Sequence, residues 1–246
     1  MMEHGGSMGG ESALMDVDGG PLTRTDWAEH LIRNEILTGS LRPGQRLKMA
    51  ELQERYPGLS PTPLREALSR LTGSGLVDFL PNRGMRVAAG SLEELRDVHA
   101  NRVLLETIAF KRSTEAADES WHGEVEQALQ QFVTLSEAVE RLGHLGSSDL
   151  IKWENAHRRF HFALVGRCGS PWLLRLLGIL YEQSVRYRYL TIRAHPEFGR
   201  IAEAHRILTR ATLGADLAGA VVALGEHANL TVASTERLNE VANAGK

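Results

Sequence analysis

Three spacings of apolar residues divide the chain. Residues 1–20 are glycine-rich, with few large apolar side chains and no helical or strand period. They read as a disordered tail. From Thr25 an i, i+3, i+4 pattern (Ala28, Leu31, Ile32, Ile36) predicts a helix, with Thr25 as its cap and Gly39 at its end. Pro43-Gly44 marks a turn, and a short helix over Lys48–Tyr56 follows. A third helix starts at Pro61 and Pro63, where proline is tolerated because first-turn N–H groups lack helical partners. Ser60 or Thr62 caps it; Leu64, Ala67, Leu68 and Leu71 form its inner stripe, and Gly73 and Gly75 close it. Two short strands, Leu76–Leu80 and Met85–Ala88, flank Pro81-Asn82-Arg83-Gly84. Three helices and a hairpin over 21–90 make a winged helix-turn-helix.

After Gly90 the strand signal disappears. Six long helical patterns run at about 91–115, 120–142, 148–167, 171–193, 197–213 and 215–242. The breaks fall at Gly143/Gly146, Gly169-Ser170-Pro171, His195-Pro196 and Gly214. The fold class is therefore mainly α: a winged helix-turn-helix over 21–90, then an antiparallel six-helix bundle over 91–242.

The net charge of −3 hides an uneven distribution. Residues 21–90 carry ten Lys/Arg against seven Asp/Glu, whereas 91–246 carry eighteen against twenty. The small positive excess lies on the segment with the outline of a DNA binder. A single cysteine, Cys168, excludes an intramolecular disulfide and a cysteine-based zinc motif. The stretch Leu173–Tyr181 is too short to span a bilayer and contains Arg175. These features predict a reduced, cytoplasmic protein.

A recognition helix presents its N-terminal residues to base edges and phosphates, mostly short hydroxyls and arginine. Ser60, Thr62 and Arg65 hold those places, and Arg83 and Gly84 form the wing tip. The competing reading pairs Arg65 with Glu51 or Glu66 on the surface. In the helical part, His157 and His161 stand at i and i+4 among Trp153, Phe160 and Leu164. His205 lies on a stripe with Ile201 and Leu208, and His227 on one with Ala220, Ala223 and Leu224. Each is a satisfied core histidine if taken alone. If they meet, neutral imidazoles make a site for zinc, nickel or cobalt. Arg102 shares the apolar stripe of Leu95, Val98 and Ala109, so its guanidinium needs an anion: Glu106, another internal carboxylate, or a ligand.

The run Leu41-Arg-Pro-Gly-Gln-Arg-Leu47, then Leu59-Ser-Pro-Thr-Pro-Leu-Arg-Glu-Ala-Leu68, Leu71, Gly75-Leu-Val77, Arg83-Gly84 and Val87 resembles the GntR family of bacterial transcription regulators over about 70 residues. Pro61 departs from the basic residue that the family usually places there, which implies a different operator preference. Residues from about Ser91 to Val241 resemble the FCD ligand-binding domain of the FadR subfamily, on Arg102-Val-Leu-Leu-Glu106, Phe160-His161, His205 and His227. Six helices imply the shorter, VanR-like branch.

The resemblance implies that His161, His205 and His227 ligate a divalent metal, with His157 standing where the family's metal-binding members have an Asp. It implies a small organic acid bridging Arg102 and the metal. Arg186, Tyr187 and Arg188 either face that cavity or make surface or dimer contacts. The function implied is a homodimeric regulator, a repressor, that binds operator DNA and no membrane. Two rivals remain at this level: a metal-dependent hydrolase, which needs a general base such as Glu154 or Glu203, and a helical regulator without a small-molecule ligand.

Overall fold

A computed structural model describes residues 23–142, 146–194 and 196–244. The tail 1–20 and the predicted break residues Gly143 and His195 lie outside them. The elements are α1 (Arg24–Leu37), β1 (Arg46–Leu47), α2 (Met49–Arg55), α3 (Pro61–Gly73), β2 (Val77–Leu80) and β3 (Gly84–Val87). Six long helices follow: α4 (Leu92–Glu115), α5 (Glu119–Leu142), α6 (Ser147–Val165), α7 (Pro171–Ala194), α8 (Phe198–Leu213) and α9 (Leu217–Ala244).

The cap of α1 is Thr23, not Thr25. The Thr23 hydroxyl accepts the Asp26 N–H (3.1 Å), and the Asp26 carboxylate accepts the Thr23 N–H (3.0 Å), a reciprocal capping box. Thr25 instead turns inward and donates to Glu66 (2.7 Å). On α3 the cap position is Ser60, but its side chain makes no capping bond.

The sheet has a strand that the spacing did not predict. β1 pairs antiparallel with β3 (Arg46↔Arg86, Leu47↔Met85), and β3 pairs with β2 (Val77↔Val87 through Leu80↔Gly84). The wing turn closes with Arg83 N–H donating to Leu80 C=O (2.9 Å), and Asn82 takes φ +62°, a conformation asparagine tolerates. Ile32, Leu64, Ala67, Leu68, Leu71, Leu76 and Val87 fill the core of this part.

In the helical part, two apolar clusters meet around the middle of α6. One contains Phe110, Phe160, Leu164, Leu208 and Leu224; the other contains Phe132, Trp153, Tyr181 and Tyr189. The two parts of the chain touch along α7. Arg33 on α1 pairs with Glu182 (2.5 Å), and the Gln183 amide donates to the Ser74 carbonyl after α3. The Tyr187 hydroxyl accepts the Ser91 N–H (3.0 Å) and donates to Glu94 (2.9 Å). Gly75 and Gly90 both have positive φ, and a Cβ on Gly90 would stand 2.6 Å from the Tyr187 hydroxyl. Glycine is thus required at Gly90 twice over, by backbone and by space.

Candidate metal centre and nucleic-acid interface

His157 and His161 of α6, His205 of α8 and His227 of α9 are all buried and all turn Nε2 to one point. Nε2 of His157 is 2.8 Å from that of His205 and 3.2 Å from that of His161. The latter lies 3.2 Å from His227 and 3.3 Å from His205. Four nitrogens about 2.0–2.1 Å from a tetrahedral centre stand about 3.3 Å apart; the four pairs above lie near that spacing, and all four nitrogens lie within 4.8 Å of one another.

Outer partners fix two of the rings. His205 Nδ1 donates to the Ile201 carbonyl (2.6 Å). His157 Nδ1 lies 2.8 Å from the Tyr181 hydroxyl, which spends its own proton on Glu154 (2.7 Å) and so must accept from the ring. Both Nε2 atoms therefore present lone pairs, facing each other at 2.8 Å. Two neutral rings gain nothing from that contact, and a cation bound between them does. Protonation is disfavoured as a remedy. Burial pushes His157, His205 and His227 well below the ordinary imidazole value, helped by Arg188 and neighbouring rings at His157 and by neighbouring rings and Arg102 at the other two. Burial and Arg102 bring His161 down to about 4.

Two buried ion pairs brace the cluster. Arg188 grips Glu154 with Nε (2.9 Å) and Nη2 (2.8 Å). Arg102 Nη2 donates to Glu106 (3.1 Å), and His161 Nδ1 stands 3.3 Å from that carboxylate and 3.2 Å from Arg102 Nη2. Burial works to raise the Glu106 pKa, but Arg102 and His161 outweigh it and hold it at about 2. Both guanidinium groups flank the Tyr181 ring, 4.8 Å and 5.2 Å from its centroid. Arg102 keeps Nε and Nη1, and Arg188 keeps Nη1, buried without a partner. Such orphaned donors are costly unless an anion takes them.

Arg102 thus reaches both Glu106 and open donor capacity, and Arg188 faces the same place. Arg186 and Tyr187 do not: Arg186 pairs with Glu94 (2.6 Å), and both residues hold the segment between the two parts. Neither candidate base is free. Glu154 is held by Arg188, and Glu203 is an outer-surface residue bound to Arg206 and Arg210. Glu106 is the Arg102 partner that the spacing offered; Glu154 was named only as a base, and Tyr181 was not assigned to the centre at all. Tyr181 sits 24 residues after His157 on another helix, and no spacing links the two.

At the other end, Ser60, Thr62, Arg65, Arg83 and Gly84 are exposed. Arg65 does not pair with Glu51, which binds Lys48 (2.7 Å), or with Glu66, which accepts Thr25. The first-turn hydroxyls and Arg65 lie together at the start of α3, and Arg83 and Gly84 at the tip of the hairpin that follows.

The comparisons with known proteins agree with this layout. Residues 25–87 match the family described as bacterial regulatory proteins, gntR family, and residues 97–230 match the FCD domain. Among relatives, the HTH-type transcriptional regulator BphR of Paraburkholderia xenovorans (strain LB400) is 34% identical over 215 residues, covering 85% of this chain and 86% of that protein. The HTH-type transcriptional repressor GlaR of Escherichia coli (strain K12) is 31% identical over 200 residues, covering 80% and 88%. The solved E. coli McbR/YncC shares the fold, with TM-score 0.72 at 23% identity over 89% of this chain and 99% of that one. No described helix is long and apolar enough to cross a membrane. The family consists of transcription regulators, not enzymes. The chain belongs to the GntR family and is a DNA-binding transcriptional regulator with a C-terminal FCD domain.

Proposed function

We propose that this regulator is a homodimeric, one-component repressor whose hold on operator DNA is set by a small organic acid bound beside a divalent metal ion. The observation that carries the reading is the pair of facing lone pairs on His157 and His205, with His161 and His227 completing four nitrogens. These four residues would hold the ion. Zinc suits four nitrogens best, and nickel or cobalt are the alternatives. The ion supplies positive charge toward a ligand carboxylate, and the orphaned N–H groups of Arg102 and Arg188 supply the donors that fix it.

Dimerisation is supported by two adjacent helices. α4 leaves Leu104 and Ile108 exposed, and α7 leaves Trp172, Leu176 and Ile179 exposed, an apolar surface suited to a second copy. Repression is supported by the likeness to a relative named as a repressor. A two-fold dimer reads a near-palindromic operator through Ser60, Thr62, Arg65, Arg83 and Gly84. Signal passes along α7, where Tyr181 touches the sensor site and its neighbours Glu182 and Gln183 hold α1 and Ser74. Ligand binding favours one placement of the DNA-binding parts over the other and shifts affinity accordingly.

A gel-shift with the gene's own upstream region tests the output half. Arg65→Ala should weaken specific binding by about 1–3 kcal/mol, roughly 5- to 150-fold, without loss of helical signal. Absence of specific binding by the unaltered protein at moderate salt, with and without metal, would sink the reading. For the sensor half, protein purified without an affinity tag should carry about one zinc per chain. Stripping it from a hundredfold excess over Kd removes about 2.7 kcal/mol. That corresponds to a drop in melting temperature of about 5–10 °C for a chain of this size.

A further inference from the structure

The four histidines are not held alike. His157 and His205 are pinned through Nδ1 by Tyr181 and the Ile201 carbonyl, and His161 is wedged between Glu106 and Arg102. His227 Nδ1 is buried and has no hydrogen-bond partner. Its Nε2 meets His161 Nε2 within the cluster (3.2 Å), and its ring lies 4.2 Å from the centroid of His205 and 5.0 Å from that of His161, but no outer partner holds it from the Nδ1 side.

His227 also lines a groove of about 460 Å³ between α8 and α9. Ala204 on one wall and Ala223 and Ala233 on the other leave room for a ring to turn, and the exposed carboxylate of Glu226 lines the same groove. Two residues before His227 stands Gly225, where an added Cβ would meet nothing within 4 Å. The other three rings come from α6 and from the inner face of α8 and do not line this groove.

We infer that His227 is the exchangeable ligand of the centre, and that the α8/α9 groove is the route by which the divalent ion enters and leaves. The ring swings toward the groove while the three held imidazoles keep their places. A ligand without an outer partner is the one whose release costs least, since outer partners are worth about 10- to 100-fold in metal affinity. This inference rests on reading the cluster as a metal centre.

The test times zinc transfer from the loaded, full-length protein to an excess of a colour-forming chelator. Ala204→Leu and Ala233→Leu, which fill the groove from opposite walls, should each slow transfer about tenfold or more with one zinc per chain retained. His227→Ala should speed transfer by a similar factor and still take up one cobalt(II), with an altered visible spectrum. Wild-type transfer rates in a folded, zinc-loaded groove variant would overturn the inference. Should neither groove variant fold, an unchanged rate in His227→Ala would overturn it equally. Wild-type protein that takes up no zinc or cobalt would overturn the metal reading itself, a result separable from the others because there is then no ion to time.

Discussion

The metal-free protein should lose its helical domain on mild acidification, between about pH 6.5 and 5. Five buried histidines lie behind this: His99, His157, His161, His205 and His227. Burial lowers each below its ordinary value of 6.5, His99 to about 3 and His161 to about 4. In the unfolded chain each takes a proton near 6.5, whereas in the fold it stays neutral. Stability is therefore complete above that value and falls as pH drops through it, continuing until the folded values are reached. One pH unit below 6.5 each group costs about 1.4 kcal/mol, so the five together remove about 7 kcal/mol. That is comparable with the whole stability of a typical domain, about 5–15 kcal/mol. The winged part has no such cluster among its described residues and should outlast the bundle. Circular dichroism melts at stepped pH in excess chelator measure this. A melting temperature that stays flat from pH 7 to 5.5 would refute it. Added zinc should move the transition to lower pH, because protons and metal then compete for the same nitrogens.

Arg188→Ala should destabilise the protein by about 3–5 kcal/mol. The substitution leaves Glu154 buried without its bidentate partner, and breaking a buried pair from one side costs far more than the pair contributes. For a chain of this length that is a fall in melting temperature of about 6–20 °C. There is a second effect. A Glu154 released from Arg188 no longer holds the Tyr181 hydroxyl in place, so the outer partner of His157 Nδ1 is loosened. Metal affinity should then fall by about 10- to 100-fold. Arg188→Met combined with Glu154→Leu should recover much of the stability and none of the affinity. Chemical denaturation with zinc titration separates the two losses. A single substitution costing less than about 1 kcal/mol would show that the pair is not buried as described.

The long helices were legible because a 3.6-residue apolar period survives over four or more turns, and glycine or proline marks most of their ends. The four histidines were legible for the same reason: each interrupts an apolar stripe where a core side chain belongs. What surrounds them was not. Tyr181 and Glu154 are 27 residues apart on different helices, and neither breaks a pattern in a way that points to the other. Arg188 was read as facing the ligand cavity or making outer contacts; its Nε and Nη2 serve Glu154, and its Nη1 stays without a partner. β1 has two residues, too few to show any period. The cap of α1 could have been read correctly. Thr23 and Asp26 have the spacing of a reciprocal cap, whereas Thr25 is followed three residues later by Ala28.

Domain swapping between regulators of this kind is an attractive way to build new sensors, and the seam along α7 sets a rule for it. Tyr187 lies so close to Gly90 that no side chain fits there, and the Gln183 amide rests against Gly75 and Ser74. A chimera cut at residue 90 would carry one half of each contact from each parent. Cuts that keep Ser74 through Ser91 together with residues 183–187 of the same parent should transmit a signal. Cuts that separate them should yield hybrids that bind DNA and do not respond to the proposed effector.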